Sequence, residues 1–557
     1  MHVATRPAAV LLAAALGSAA PASAQTVSGR VTDGGTGEPI EAVLVELLTL
    51  DSTRVRAILT SAAGEYRVAL DAPGRVLIRL QRFGYAASVV GPFDVAADRA
   101  IDLTLSSQPF TLPAIEVARE SRCAIGPESS ARAARLWERI RTALEVATVV
   151  RRAGLLRFSL LRFVRELDLE RRNLLREEVM LWTGAGPFES VAAEWLVRDG
   201  FIQPADAVRL SYYMPDPSVI LADAFLQTHC FRVVEKQQRS RTLYGLAFSP
   251  LEDRDDRQPA VQNAFFQRLV AAEGADVSGV LWVDARTGLL ETLEYRYEGL
   301  RSDDIADVAG GFAEFEQLAG GAFAVRHWWV RMPVVRLVRS GRRTRLELVA
   351  IQDEGGAIVR AETPEGTPVA RRPGQRVAGR ISAGDLPMAL DRAAARLSGT
   401  PDFAFADSTG AFAIPDVPPG RYLATFHHPL LDTLGIRGPI QEILVDAETQ
   451  PIVFVGPNRA GALRRVCPDA DVDSRRGTLL LHVQRPAEGQ FLIRRVELRL
   501  AINGRRIGVR NIDAEGFARF CDVPVGVPLE LHGASTTGPV PTSVPPTTGF
   551  ARIDVRG

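Results

Sequence analysis

Gly29-Arg30-Val31-Thr32-Asp33, Pro39-Ile40-Glu41-Ala42-Val43, Ala63-Gly64-Glu65-Tyr66-Arg67-Val68 and Pro73-Gly74 form one ordered set of β-runs and tight turns. Thr26 to Thr32 opens a strand, and alternation resumes in Ala42 to Leu47, as half-buried strands require. Asp33 to Pro39 between them is built of turn formers that a strand does not accept. With Arg75 to Leu80 and Ile101 to Leu105, the set reads as a small antiparallel sandwich. It returns as Gly379-Arg380-Ile381, Thr409 to Ile414 and Pro418-Pro419-Gly420-Arg421-Tyr422. A looser third copy runs through Val496-Glu497-Leu498, Asp513 to Cys521 and Pro524-Val525-Gly526. Gly64, Gly410 and Gly516 are expected at equivalent turns. Each shortly precedes an aromatic that starts a core strand, Tyr66 and Phe412 after one residue and Phe517 directly.

These motifs resemble the carboxypeptidase-regulatory-like (transthyretin-like) domain, with its G-x-V-x-D opening, T-D-x-x-G-x-[FY] turn and P-G-x-Y strand. The resemblance covers 26–106 well, 374–455 in part and 477–555 loosely. Ser61 stands where the first copy should carry Asp, and the third copy lacks a clean opening motif. The resemblance implies a non-catalytic β-sandwich module, and so a fold rather than a reaction.

Residues 1–24 read as a signal peptide: His2 and Arg6, the apolar run Ala8 to Leu16, then Ala22-Ser23-Ala24, with cleavage expected before Gln25. No later stretch is long and apolar enough to span a bilayer. Lys+Arg and Asp+Glu are both 66, which removes the electrostatic reason to expect nucleic acid. The expected compartment is periplasmic or extracellular. There, Cys123, Cys230, Cys467 and Cys521 favour disulfides over metal ligation. Three connectivities are open; the local one, Cys123 with Cys230 and Cys467 with Cys521, is preferred.

The expected fold is mainly β, with several Ig-like/transthyretin-like sandwiches flanking a central α+β domain that holds a curved antiparallel sheet. Its expected parts are a sandwich at 25–106, a linker at 107–122 and the central domain at 123–350. A linker at 351–373, a second sandwich at 374–456, a linker at 457–476 and a third sandwich at 477–557 complete it. The central domain opens on a helix with Ala133, Leu136, Trp137, Ile140, Leu144 and Ala147 at helical spacing. Its strands from Gly279 to Asp284 and Leu289 to Tyr297 resemble part of the half-barrel of periplasmic lipoprotein carriers, which implies an apolar ligand; a closed core is the competing reading.

No catalytic constellation emerges. No His has Glu three residues on, and H-E-x-x-H, G-x-S-x-G and a P-loop are missing. His427 and His428 are adjacent and diverge on a strand. Glu252 to Arg257, and Asp303-Asp304 with Asp307, read as solvated charge with calcium as the alternative. Of Trp328 and Trp329, one ring should face inward; the outward one is a possible ligand contact. The expectation is a non-enzymatic extracytoplasmic binding or scaffold protein without cofactor or metal. Its partner would be an envelope protein, a glycan or an apolar ligand. The alternatives are a lipid carrier and a hydrolase with an unrecognised site.

Overall fold

The computed structural model describes residues 25–108 and 131–556, apart from 83, 172, 187–189, 206–208, 252–268, 271–273, 319–321, 341–342, 370–372, 385, 387, 435, 468–475, 485–492, 514–515, 535–537 and 547–548. Two compact units divide between Pro109 and Phe110.

The first unit contains β1 (Gln25–Asp33), β2 (Leu44–Leu48), β3 (Arg54–Leu59), β4 (Glu65–Leu70), β5 (Gly74–Gln81), β6 (Ser88–Val95), β7 (Arg99–Ala100) and β8 (Leu103–Leu105). β1 pairs antiparallel with β4 and parallel with β7 and β8, and the other sheet runs β3-β2-β5-β6. Strict alternation decides which side of β4 is buried: Glu65, Arg67 and Ala69 are not, whereas Tyr66, Val68 and Leu70 are. They join Val27, Val31, Val45, Leu47, Ile78 and Leu80 in one core.

The second unit begins with α1 (Ala131–Arg152), β9 (Arg157–Leu167), β10 (Leu174–Gly184), α2 (Ala193–Asp199), β11 (Ile202–Pro204), β12 (Leu210–Tyr212), α3 (Pro217–Ile220) and α4 (Asp223–Thr228). β13 (His229–Gln238), β14 (Arg241–Pro250), β15 (Asp276–Asp284), β16 (Leu290–Glu298), β17 (Gly310–Gln317), β18 (Phe323–Ser340) and β19 (Arg343–Glu362) follow. Nine of these strands form an antiparallel sheet, β10-β9-β19-β18-β17-β16-β15-β14-β13. α1 lies against β13, β14, β16 and β18, and buries Leu136, Ile140 and Leu144. Residues 351–362, expected in a linker, are instead the second half of β19, paired with β9. The glycines that suggest a break are demanded by packing. A β-carbon at Gly355 would meet the Trp328 carbonyl oxygen at 2.1 Å, and one at Gly356 the Trp328 ring at 2.4 Å.

The second sandwich holds β20 (Gln375–Ser382), β21 (Ala394–Leu397), β22 (Phe403–Phe405), β23 (Ala411–Val417), β24 (Gly420–His427), β25 (Gln441–Val445) and β26 (Ile452–Val455). The third holds β27 (Arg476–Gln484), β28 (Arg495–Leu500), β29 (Arg506–Asn511), β30 (Phe517–Pro524), β31 (Leu529–His532), β32 (Val540–Thr542) and β33 (Phe550–Arg556). Both repeat the path of the first. The opening strand lies between the fourth, antiparallel, and the last, parallel; the other sheets run β22-β21-β24-β25 and β29-β28-β31-β32.

Gly64, Gly410 and Gly516 have φ of 73°, 81° and 91°. Their carbonyls accept from Val31, Ile381 and Val483 at 2.9, 2.8 and 2.8 Å. Asp407 and Asp513 accept the N–H of the residue after the glycine, at 3.0 and 2.6 Å. The Ser61 hydroxyl does the same for Glu65 at 3.2 Å, so the departure from Asp preserves the turn. Phe517, however, does not take the place of Tyr66 and Phe412. In the register the partners are Gly29 with Tyr66, Gly379 with Phe412, and Leu481 with Ala518. Small and large residues have changed sides in the third copy. Its ring outside the core, Phe517, stacks on His482 at 4.5 Å.

Residues 457–476, expected as a linker, contain the helix Arg459–Val466. Ala462, Val466 and Cys467 belong to the second sandwich's core, as does Phe550 from β33. Cys467 is disulfide-bonded to Cys521 on β30, with Cα atoms 5.8 Å apart. Cys230 is disulfide-bonded as well; Cys123 lies outside the described residues.

Candidate functional site

The second sandwich packs on the large sheet, and several buried ion pairs of the described residues lie at that contact. β17 and β18 present Glu314, Arg326 and His327, all buried. Arg326 pairs with Glu314, and donates to the Tyr422 hydroxyl and the Pro419 carbonyl at 2.7 Å each. The Arg421 N–H donates to Glu314 at 2.6 Å. Burial pushes the Glu314 carboxyl up, but Arg326, His327 and the Arg421 N–H outweigh it and hold it below the usual range. Burial pushes the Tyr422 hydroxyl up to about 12, so it stays a neutral acceptor for Arg326.

His327 stacks on Tyr422 at 5.9 Å, nearly parallel. Its Nδ1 lies 3.5 Å from Glu314, and neither ring nitrogen has a hydrogen-bond partner. Burial lowers its pKa, with Arg326 and Arg165 adding to that and Glu314 opposing.

A second cluster centres on Asp353. Arg165 donates to it at 3.1 Å and Arg331 at 2.7 and 3.0 Å. Burial raises the Asp353 carboxyl, yet the two arginines bring it below its usual value. Arg165 also reaches Ser398 of the sandwich at 3.0 Å. Ser398 and the Gly399 N–H donate to Glu177 at 2.6 and 3.0 Å, and Arg396 pairs with the same carboxylate. Every charge in these clusters is paired, with Arg165 and Arg331 sharing Asp353, and buried ions are tolerated only when paired.

Beside them a cleft of about 400 Å³ opens between the sheet and the sandwich, lined by Arg241, Asp284, Glu291, Arg326, Arg421 and Asp446 among others. Arg241 donates to Glu291 at 2.6 and 3.2 Å; burial raises the Glu291 carboxyl. Arg421 and Lys236 share Glu294 at 2.8 and 3.3 Å. Lys236 sits 3.9 Å over the Trp282 ring, and burial lowers its pKa. The cleft lining mixes apolar side chains with charges of both signs.

The tryptophans divide as the strand alternation requires, but not to a ligand's advantage. Trp328 is 4% exposed, its ring over Gly356, so it is unavailable as a ligand contact. Trp329 is half-buried, stacked on Phe312 at 5.7 Å and under Arg331 at 4.4 Å. His427 ends β24, and His428 caps the following helix by accepting from the Leu430 N–H at 3.0 Å. Asp303 and Asp304 lie in the first turn of a short helix, Asp303–Ala306; the run 252–257 lies outside the described residues. Between α1 and β18 the space is about 30 Å³, room for one or two waters.

The sequence drew no attention to Glu314, Arg326 or Asp353. Arg326 reads as ordinary strand charge and Asp353 as part of a linker, and their counter-charges lie in other elements.

Residues 26–108 match the carboxypeptidase regulatory-like domain family; the first unit contains that domain. No curated protein matches the chain. Among solved structures, the Klebsiella pneumoniae 5-hydroxyisourate hydrolase aligns at 19% identity over 16% of this chain and 94% of its own, with TM-score 0.14. A minor pilin of Streptococcus agalactiae aligns at 16% identity over 17% of this chain and 49% of its own, TM-score 0.14. The major pilin subunit of Bacillus cereus aligns at 8% over 96% and 99%, TM-score 0.13.

Proposed function

We propose that the chain is a non-enzymatic, exported scaffold or binding protein of the cell envelope. The observation that carries this reading is the junction between the large sheet and the second sandwich. There Arg326 pairs with Glu314, and Arg165 and Arg331 share Asp353, in buried clusters. Clusters of this kind are costly to break by halves and hold two bodies in one relation. A sandwich built on a repeated path and locked to a broad sheet is a platform; the cleft beside the lock, lined by charges of both signs and by apolar side chains, is its candidate contact surface. The carboxypeptidase regulatory-like domain at residues 26–108 supports the reading, since the resemblance implies a non-catalytic module.

The test is to purify residues 25–557 and screen them against envelope glycans and proteins for binding, and against peptide, ester and glycan substrates for turnover. Binding without turnover is expected. Turnover abolished by Glu291→Gln in the cleft would overturn the reading.

A further inference from the structure

β10 is the outermost strand of the nine-stranded sheet, and among the described residues nothing pairs with its outer edge. It runs for 11 residues. Val179, Met180, Leu181 and Trp182 are 44, 69, 66 and 40% exposed. Because neighbours in a strand point to opposite faces, four apolar residues in succession are uncovered on both sides of the sheet. Exposed Leu175 on β10 and Val164 on β9 extend the patch.

A bare edge presents a row of N–H and C=O groups to any extended chain, and natural edges are blunted by charge, proline or a cover. The opposite edge, β13, has exposed Arg232 and Glu235. On β10 the charges crowd into one half: Glu177 is held by the second sandwich, and Arg176 pairs with Glu178. The half from Val179 to Trp182 has no such guard.

We propose that β10 pairs antiparallel with β10 of a second copy of this chain, continuing the sheet across a two-fold axis. The self-complementarity of the strand singles out that occupant. A two-fold axis normal to the sheet keeps each face with its like, so opposed residues share parity. Centring the pair on Glu177 or Glu178 sets like carboxylates opposite one another, which is unfavourable; centring it on Met180 does not. Val179 then faces Leu181 of the second copy, Met180 faces its equivalent, and Trp182 lies opposite Glu178. The apolar run covers itself. An isologous pair closes on itself instead of growing into a fibre. Centred there, residues 176 to 184 of the two strands overlap, a span of about 30 Å, which puts the contact at or below the low end of specific interfaces, about 1,200 Å² in total. The dimer is therefore reversible.

The experiment is sedimentation velocity on residues 25–557 from low to high micromolar concentration. Wild type should shift from monomer to dimer, and Leu181→Glu should stay monomeric with an unchanged melting temperature, since Leu181 is exposed. Cys230, Cys467 and Cys521 are already disulfide-bonded, so Met180→Cys adds a thiol next to the axis. Under oxidising conditions it should give a covalent dimer, whereas Arg505→Cys on the third sandwich should not. Monomer throughout for wild type overturns the proposal. So does association that Leu181→Glu leaves intact, open-ended growth, or a Met180→Cys chain that does not crosslink.

Discussion

Gly379 stands directly opposite Phe412, and a β-carbon on the glycine would lie 2.5 Å from the phenylalanine ring. The first sandwich repeats the arrangement with Gly29 and Tyr66; the third inverts it with Leu481 and Ala518. One volume is shared between two chain positions, and either can supply it.

It follows that the third sandwich should accept the arrangement of the other two only as a pair. Leu481→Gly alone should cost about 3–5 kcal/mol by leaving a cavity in a strand. Ala518→Phe alone should cost about 1–3 kcal/mol by overpacking. Leu481→Gly with Ala518→Phe should cost at least about 1 kcal/mol less than the sum of the two. Chemical unfolding of the three variants measures this; strict additivity would refute the exchange.

Gly410→Val forces a branched residue to a φ of 81° and drives its β-carbon to 2.0 Å from the Ile381 carbonyl oxygen. The expected loss is about 3 kcal/mol or more, strain and clash together. A change within about 0.5 kcal/mol in the unfolding midpoint would contradict the turn geometry.

Asp353→Ala leaves Arg165 and Arg331 without their shared counter-charge. The expected cost is about 3–5 kcal/mol, with faster proteolysis between the large sheet and the second sandwich. Exposed Glu354→Ala, one residue on, should cost under about 1 kcal/mol. Urea titration of both separates the buried cluster from surface charge.

Acid should loosen the chain in two windows. The His327 pKa is depressed below its ordinary 6.5, first by burial. Between that value and the depressed one the unfolded chain holds a proton the folded chain refuses. Its contribution is therefore complete above pH 6.5 and declines as pH falls below it. Glu314 and Asp353 are held below their ordinary 4.5 and 3.8, so their contributions are complete above those values and are lost only as pH falls through the lowered ones. His327→Phe should flatten the first window and leave the Asp353 part of the second, since His327 is among the groups that lower Glu314 but not Asp353. Melting temperatures from pH 7.5 to 3 test this; an unchanged first window would show that His327 does not titrate there.

The sandwiches were legible because their information is local: turn glycines, alternation and the spacing between them all lie within tens of residues. Glu65 to Leu70 shows its buried side in the bare sequence. The junction was not legible. Asp353 sits in Gln352-Asp353-Glu354-Gly355-Gly356 and reads as a linker. Its partner Arg165 is 188 residues away, and the glycines exist to make room for Trp328 and Phe163. The helix after Asn458 was missed for a related reason, since Ala462 and Val466 find their core in a sandwich already closed in sequence. The third copy hid its opening because Leu481 replaces the glycine by which that strand is recognised.

Phe550 begins the final strand of the third sandwich, yet its ring belongs to the core of the second. A polypeptide that emerges N-terminus first, from a ribosome or an export channel, therefore cannot finish the middle sandwich when its own residues are out. About ninety more must follow before that core is complete. Until then the middle sandwich lacks one aromatic ring of its core. Loss of the strand that carries Phe550 would be felt far upstream, in a module that closes in sequence long before it.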